Sequence, residues 1–102
     1  MTGKRKPHYA LADVKAAFTD PAALNRTCRS RQDAAALGLS DSDIVAVVQG
    51  RSLADFDKSM TSHVDQTVWQ DVYKPKAAAR TLYVKFTLDA QKALLLISFK
   101  EA

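Results

Sequence analysis

An α+β domain, helices first and a mainly antiparallel sheet after them, is the fold class this 102-residue sequence predicts. Two observations carry the prediction. Before Gly50, apolar residues recur at helical spacing between capping residues. After Ser52, they alternate in short runs rich in strand formers. The length and a 47% hydrophobic content suit one compact domain over residues 1–102, with no room for a second.

Residues 1–9 read as a mobile basic arm that docks at Pro7 or Tyr9. Leu11, Val14 and Phe18 recur at i, i+3 and i+7, which predicts a helix over 10–19 ending at the Asp20-Pro21 break. Asn25 to Cys28 is a small strand or an extended connector. Ser30 with Asp33 resembles a helix cap, and Gly38 stands where that helix stops. Ser40 with Asp43 repeats the cap, Ile44, Val47 and Val48 form an apolar stripe, and Gly50 closes it.

Phe56, Lys58 and Met60 alternate with Asp55, Asp57 and Ser59, as a strand would, although Leu53, Phe56 and Met60 also suit a helix. His63 to Gln66 is a polar turn, and Thr67 to Tyr73 is rich in strand-forming residues. Lys74-Pro75-Lys76 stops that strand or leaves it at an edge. Two long strands end the sequence, 80–88 and 94–101, joined around Asp89-Ala90-Gln91 as a hairpin. Residues two apart share a face. Leu82, Val84, Phe86 and Leu88 therefore point one way, and Thr81, Tyr83, Lys85 and Thr87 the other. On the last strand, Leu95, Ile97 and Phe99 are expected inward, with Ser98 and Lys100 outward.

Fifteen basic against eleven acidic residues give a net charge of +4, a weak bias toward RNA, DNA or an acidic protein. The lone Cys28 excludes an internal disulfide and is expected to pack in the fold. With two histidines, it cannot readily build a structural zinc site. The basic start runs into Pro7-His8 rather than an apolar stretch, and no segment approaches membrane-spanning length, so a cytoplasmic location is expected.

No GxSxG, phosphate-binding P-loop, dinucleotide fingerprint or magnesium-type carboxylate cluster is present in the sequence. Phosphodiester chemistry here would therefore run without a metal or other cofactor, with an RNA 2′-hydroxyl as nucleophile. The protein would need only to move protons and neutralise a pentavalent phosphate. Lysine, tyrosine and glutamine meet those demands. Lys58, Gln70, Tyr83 and Lys100 come from four strand-like segments that a sheet could bring together, though Gln70 shares its parity with Val68 and Val72. Lys74, Lys76, Arg80 and Lys85 are candidates for RNA phosphates. Lys74, Lys76 and Arg80 are equally well read as a solvated turn. Trp69 and Tyr73 could stack on bases, but a core position suits them better. His63 could serve as a general base, although its polar surroundings suit an exposed loop.

The runs Asp55-Phe56-Asp57-Lys58-Ser59-Met60-Thr61, Thr67 to Pro75 and Ile97-Ser98-Phe99-Lys100-Glu101 closely resemble the motility quorum-sensing regulator (MqsR) family of bacterial toxins. The resemblance extends over nearly the whole sequence and is loosest around Tyr83, where mainly a Tyr-x-Lys pattern remains. It implies a RelE-like fold with helices on one side of a small antiparallel sheet. It also implies an mRNA interferase that cuts transcripts at GCU-type sequences. The family's functional lysine, glutamine, tyrosine and final lysine fall on Lys58, Gln70, Tyr83 and Lys100. The implied partner is a cognate antitoxin (MqsA-like) with a zinc-binding part and a helix-turn-helix DNA-binding part. Promoter DNA would then be reached only through that antitoxin, and the toxin itself would need no zinc.

Overall fold

The computed structural model describes residues 3–62, 64–65, 67–77 and 79–102. Among these, the elements follow as β1 Gly3–Lys4, α1 Leu11–Ala17, α2 Cys28–Ala36, α3 Asp41–Gln49, β2 Phe56–Thr61, β3 Trp69–Tyr73, β4 Lys76–Ala77, β5 Arg80–Leu88 and β6 Leu94–Glu101. Short 3-10 turns occupy Pro21–Ala23 and Leu53–Asp55. The α+β order is the expected one, and residues 56–61 form a strand rather than a helix.

The named strands pair antiparallel, in the order β1-β2-β3-β5. β6 holds the other edge of β5. β4 continues beside β5 after the Lys74-Pro75 interruption, where the Leu82 N–H donates to the Pro75 carbonyl at 2.8 Å. Arg26 makes an isolated parallel bridge to Leu96, so the segment before α2 lies along the outer edge of β6.

The helices form where the caps allow. α3 opens with a capping box: Ser40 Oγ accepts from the Asp43 N–H at 3.2 Å and the Asp43 carboxylate accepts from the Ser40 N–H at 2.8 Å. α2 begins earlier than expected, because Thr27 rather than Ser30 caps it. Ser30 is instead buried, donating its hydroxyl to the carbonyls of Thr27 and Leu96, which pins α2 against β6. Cys28, the first residue of α2, is exposed rather than packed inside. Gly38 ends the α2 segment with φ of 77°, a left-handed angle that costs glycine little.

Val14, Phe18, Ala34, Ile44 and Val48 from the helical half meet Tyr73, Leu82, Val84, Phe86, Leu96 and Phe99 from one face of the sheet. All of these are buried, and each phenylalanine contributes about 2–3 kcal/mol of transfer free energy. The inward set of β6 differs from expectation. A register shift opposite Lys85 and Phe86 gives β6 one extra residue, Ile97. Leu96 therefore pairs with Phe86 in the core, whereas Leu95 pairs with Thr87 on the opposite face; Phe99, opposite Val84, stays inward. No helix among the described residues is long and apolar enough to cross a membrane.

Candidate RNA-cleaving face

The sheet face turned away from the core carries a row of residues crossing four strands. Lys58 on β2 pairs with Val72 on β3, Val72 with Lys85 on β5, and Lys85 with Ser98 on β6. Directly paired residues share a face, so Lys58 and Lys85 stand about 10 Å apart at their backbones across Val72. Val72 is fully buried although it lies on this face. Its apolar side chain floors the row, which resolves the parity conflict: Gln70 and Val72 both face outward from the core.

On one side of that row, Tyr83 pairs with Lys100. Lys100 Nζ lies 5.5 Å and Lys85 Nζ 5.8 Å from the centre of the Tyr83 ring. On the other side Met60 pairs with Gln70. Gln70 and Tyr83 thus flank the central row from opposite sides, about 13 Å apart along the strand direction. One phosphate does not span that distance. The four residues share a face, but Gln70 sits at a neighbouring position rather than beside Tyr83.

The electrostatics of the face are unbalanced toward positive charge. The Lys85 ammonium is pushed below its ordinary pKa by burial, and further by Lys100 and Lys58. The Tyr83 phenol is held above its ordinary value, chiefly by burial and then by the Asp57 carboxylate. Asp57 occupies the irregular step of β2 between Phe56 and Lys58 and pairs with Lys74 at 3.6 Å. Both partners are partly exposed, so that ion pair contributes little to stability. Lys76 pairs with Thr81, which places it on the same side as Tyr83.

Other sequence candidates lie elsewhere. Arg80 donates from Nη1 to the Leu37 carbonyl at 3.3 Å, tying β5 to the end of α2 on the helix side. Tyr73 is buried in the core. Trp69 stacks on His8 with centroids 5.0 Å apart and lies under the Lys4 ammonium at 4.4 Å, so its ring is occupied by the N-terminal segment. His63 lies outside the described residues.

Asp71, unremarked in the sequence reading, organises that segment. Its buried carboxylate accepts from Ser59 Oγ at 2.6 Å, the His8 N–H at 3.1 Å and the Tyr9 N–H at 2.9 Å. The available signal was an aspartate inside a strand otherwise made of apolar and aromatic residues, which demands a partner if buried. This segment is held at His8 and Tyr9, and it also adds the short strand β1 to the sheet. Among the described residues, no three His, Cys, Asp or Glu side chains are grouped so as to hold a metal ion.

The chain matches known proteins both as a family and as an individual sequence. The profile of a family described as motility quorum-sensing regulator, toxin of MqsA, matches residues 6–101. The mRNA interferase toxin MqsR of Escherichia coli (strain K12) is 41% identical over 99 residues, covering 96% of this chain and 97% of that protein.

Proposed function

Because this chain belongs to the motility quorum-sensing regulator family of toxins, we propose that it is an mRNA interferase, a sequence-selective endoribonuclease that arrests translation by cutting transcripts in the cytoplasm. The observation that carries this reading is the approach of both the Lys85 and Lys100 ammoniums to the Tyr83 ring, on the face that also bears Lys58.

The reaction these groups suit begins with attack by the RNA 2′-oxygen on the adjacent phosphorus. The bond to the 5′-oxygen then breaks, leaving a 2′,3′-cyclic phosphate and a 5′-hydroxyl. The raised pKa of Tyr83 keeps its phenol protonated, which fits it to donate to the departing 5′-oxygen. The 2′-hydroxyl proton goes to Lys85 in its neutral amine form, which the depressed pKa makes more available. Lys100 offsets the charge that builds on the phosphorane. Gln70, one row further along the sheet, holds a neighbouring nucleotide, and Lys74 and Lys76 take phosphates beyond Tyr83. The chemistry needs no metal, the selectivity is for GCU-type sequences, and a cognate MqsA-like antitoxin, binding zinc and promoter DNA through its own parts, neutralises the toxin.

The test incubates purified protein with an RNA containing one GCU and with a permuted control, both in excess EDTA. Discrete cutting of the first RNA, with cyclic-phosphate and 5′-hydroxyl ends, is expected. A mobility shift with RNA left intact would instead assign a non-catalytic binding module.

A further inference from the structure

We propose that Arg5 is a further RNA-binding residue, a guanidinium held at the outer flank of Lys58 by the docked N-terminal segment. The inference rests on the reading of the open face as an RNA surface and extends it by one strand.

Register carries the placement. β1 runs antiparallel to β2, with Gly3 opposite Met60 and Lys4 opposite Ser59. Arg5 follows in a bend directly after Lys4, whose partner Ser59 is the chain neighbour of Lys58. Alternation puts Gly3 and Met60 on the lysine face and Lys4 on the other, where Lys4 Nζ meets His8 Nδ1 at 2.9 Å and covers Trp69. Arg5 stands just past the end of β1. It is exposed and makes no ion pair among the described residues.

The backbone on both sides of Arg5 is fixed. Before it, β1 is bonded to β2. After it, the His8 and Tyr9 N–H groups are held by the buried Asp71 carboxylate, and Tyr9 Oη donates to the Trp69 carbonyl at 2.6 Å. A flexible arm would lose conformational freedom on gripping a ligand; this one has lost much of it already. Its exposed guanidinium is thus carried at the β1 edge of the sheet, next to the strand that bears Lys58, which with Lys100 crowds the Lys85 ammonium. An anionic chain crossing that face relieves the repulsion, and a planar fork of N–H donors suits phosphate oxygens better than another ammonium would.

The test compares wild type with Arg5→Gln and with Arg31→Gln, which removes the same charge from the exposed surface of α2. Binding is read by fluorescence anisotropy on a 2′-O-methyl RNA that cannot be cut, and cleavage on the matching RNA. For single strands each lost phosphate contact reduces the slope of log K against log salt by about 0.7, which corresponds to roughly fourfold weaker binding at 0.15 M salt. Arg5→Gln should show both changes, with KM raised by a similar factor and kcat within about twofold. Arg31→Gln should show neither. Asp71→Asn keeps Arg5 but releases its tether, and should weaken binding likewise if the variant folds. An unchanged slope and KM in Arg5→Gln, or a loss confined to binding of the antitoxin, overturns the Arg5 inference alone. Wild-type protein that neither cuts nor binds RNA overturns both readings.

Discussion

Tyr83 and Lys100 are direct cross-strand partners, and the Lys100 ammonium lies 5.5 Å from the centre of the Tyr83 ring. Lys85, two residues along the same strand, approaches that ring to 5.8 Å. On the proposed mechanism, a phosphorane settling here would meet two cations and an O–H donor without rearrangement of the sheet. Lys100→Ala and Tyr83→Phe should therefore each slow single-turnover RNA cleavage by about a hundredfold or more. Lys100 is exposed at the end of β6, so Lys100→Ala should change folding stability by no more than about 0.5 kcal/mol. Thermal melts beside the cleavage assay check both halves. Cutting at the wild-type rate in a folded double variant would remove the assigned site.

The crowding of Lys85 gives a pH signature. Burial, Lys100 and Lys58 push its ammonium below the ordinary 10.5, so the folded protein releases this proton at lower pH than the unfolded chain does. Between the depressed value and 10.5 the unfolded state binds more protons, and stability contributed by this group rises with pH. Below that window the repulsion is present in full. Lys85→Met should accordingly raise stability by about 0.5 kcal/mol near neutral pH while weakening RNA binding. In the wild type, affinity for 2′-O-methyl RNA should fall as pH rises through the depressed value, with the salt slope dropping by about 0.7. Anisotropy titrations from neutral pH upward follow this. A slope independent of pH, and matched by Lys85→Met, would contradict it.

The terminal hairpin was legible because alternation over 80–88 is long and uninterrupted, and it placed Tyr83 and Lys85 on the face opposite Leu82 and Val84. The Ser40–Asp43 capping box and Gly38 similarly marked where helices start or stop, whereas Ser30, which looked like a cap, is buried one turn into a helix that Thr27 caps. Other features resisted the pattern. Val72 looked like an inward residue because it is apolar, yet it floors the lysine face between Lys58 and Lys85. The extra residue at Ile97 reversed the parity of Leu94 to Leu96, and a bulge leaves no mark in an unbroken apolar run. The docking of residues 3–9 on Asp71 is a contact across more than sixty positions, which no local spacing encodes. Arg80 was legible as a cation but not as a helix anchor, since the Leu37 carbonyl it meets depends on how α2 packs.

Asp71 is the joint on which the N-terminal segment turns. One carboxylate oxygen accepts from Ser59 and His8 and the other from Tyr9. Hydrogen bonds to charged groups contribute about 1.5–3 kcal/mol each, and removing the acceptor strands buried donors as well. Asp71→Ala should destabilise the fold by about 3 kcal/mol. Asp71→Asn should fall between, because its amide nitrogen cannot accept from an N–H that a carboxylate oxygen satisfied. Hydrogen exchange provides the specific check. The His8 and Tyr9 amides should lose protection in Asp71→Asn while amides of the β5–β6 ladder keep theirs. Equal loss across the sheet would mean that Asp71 supports the core rather than the arm.

Tyr73 presents the opposite case, a polar atom whose removal should help. Its ring packs against Phe56 and Phe86 at centroid distances of 5.4 and 6.1 Å, and its hydroxyl is buried with no hydrogen-bond partner among the described residues. Burial, with a smaller contribution from the Asp71 carboxylate, raises the phenol to about 12. An unsatisfied buried hydroxyl costs about 1–3 kcal/mol, so Tyr73→Phe, which keeps the ring, should stabilise the protein by about 1 kcal/mol. The pH dependence follows from the same burial. The folded pKa exceeds the ordinary 10.0, so this group's contribution is fully present below 10.0 and is lost as pH rises toward about 12. Urea melts of both proteins from pH 8 upward should therefore show wild-type stability dropping more steeply than that of Tyr73→Phe above pH 10. A Tyr73→Phe variant less stable than wild type at neutral pH would show that the hydroxyl has a partner after all.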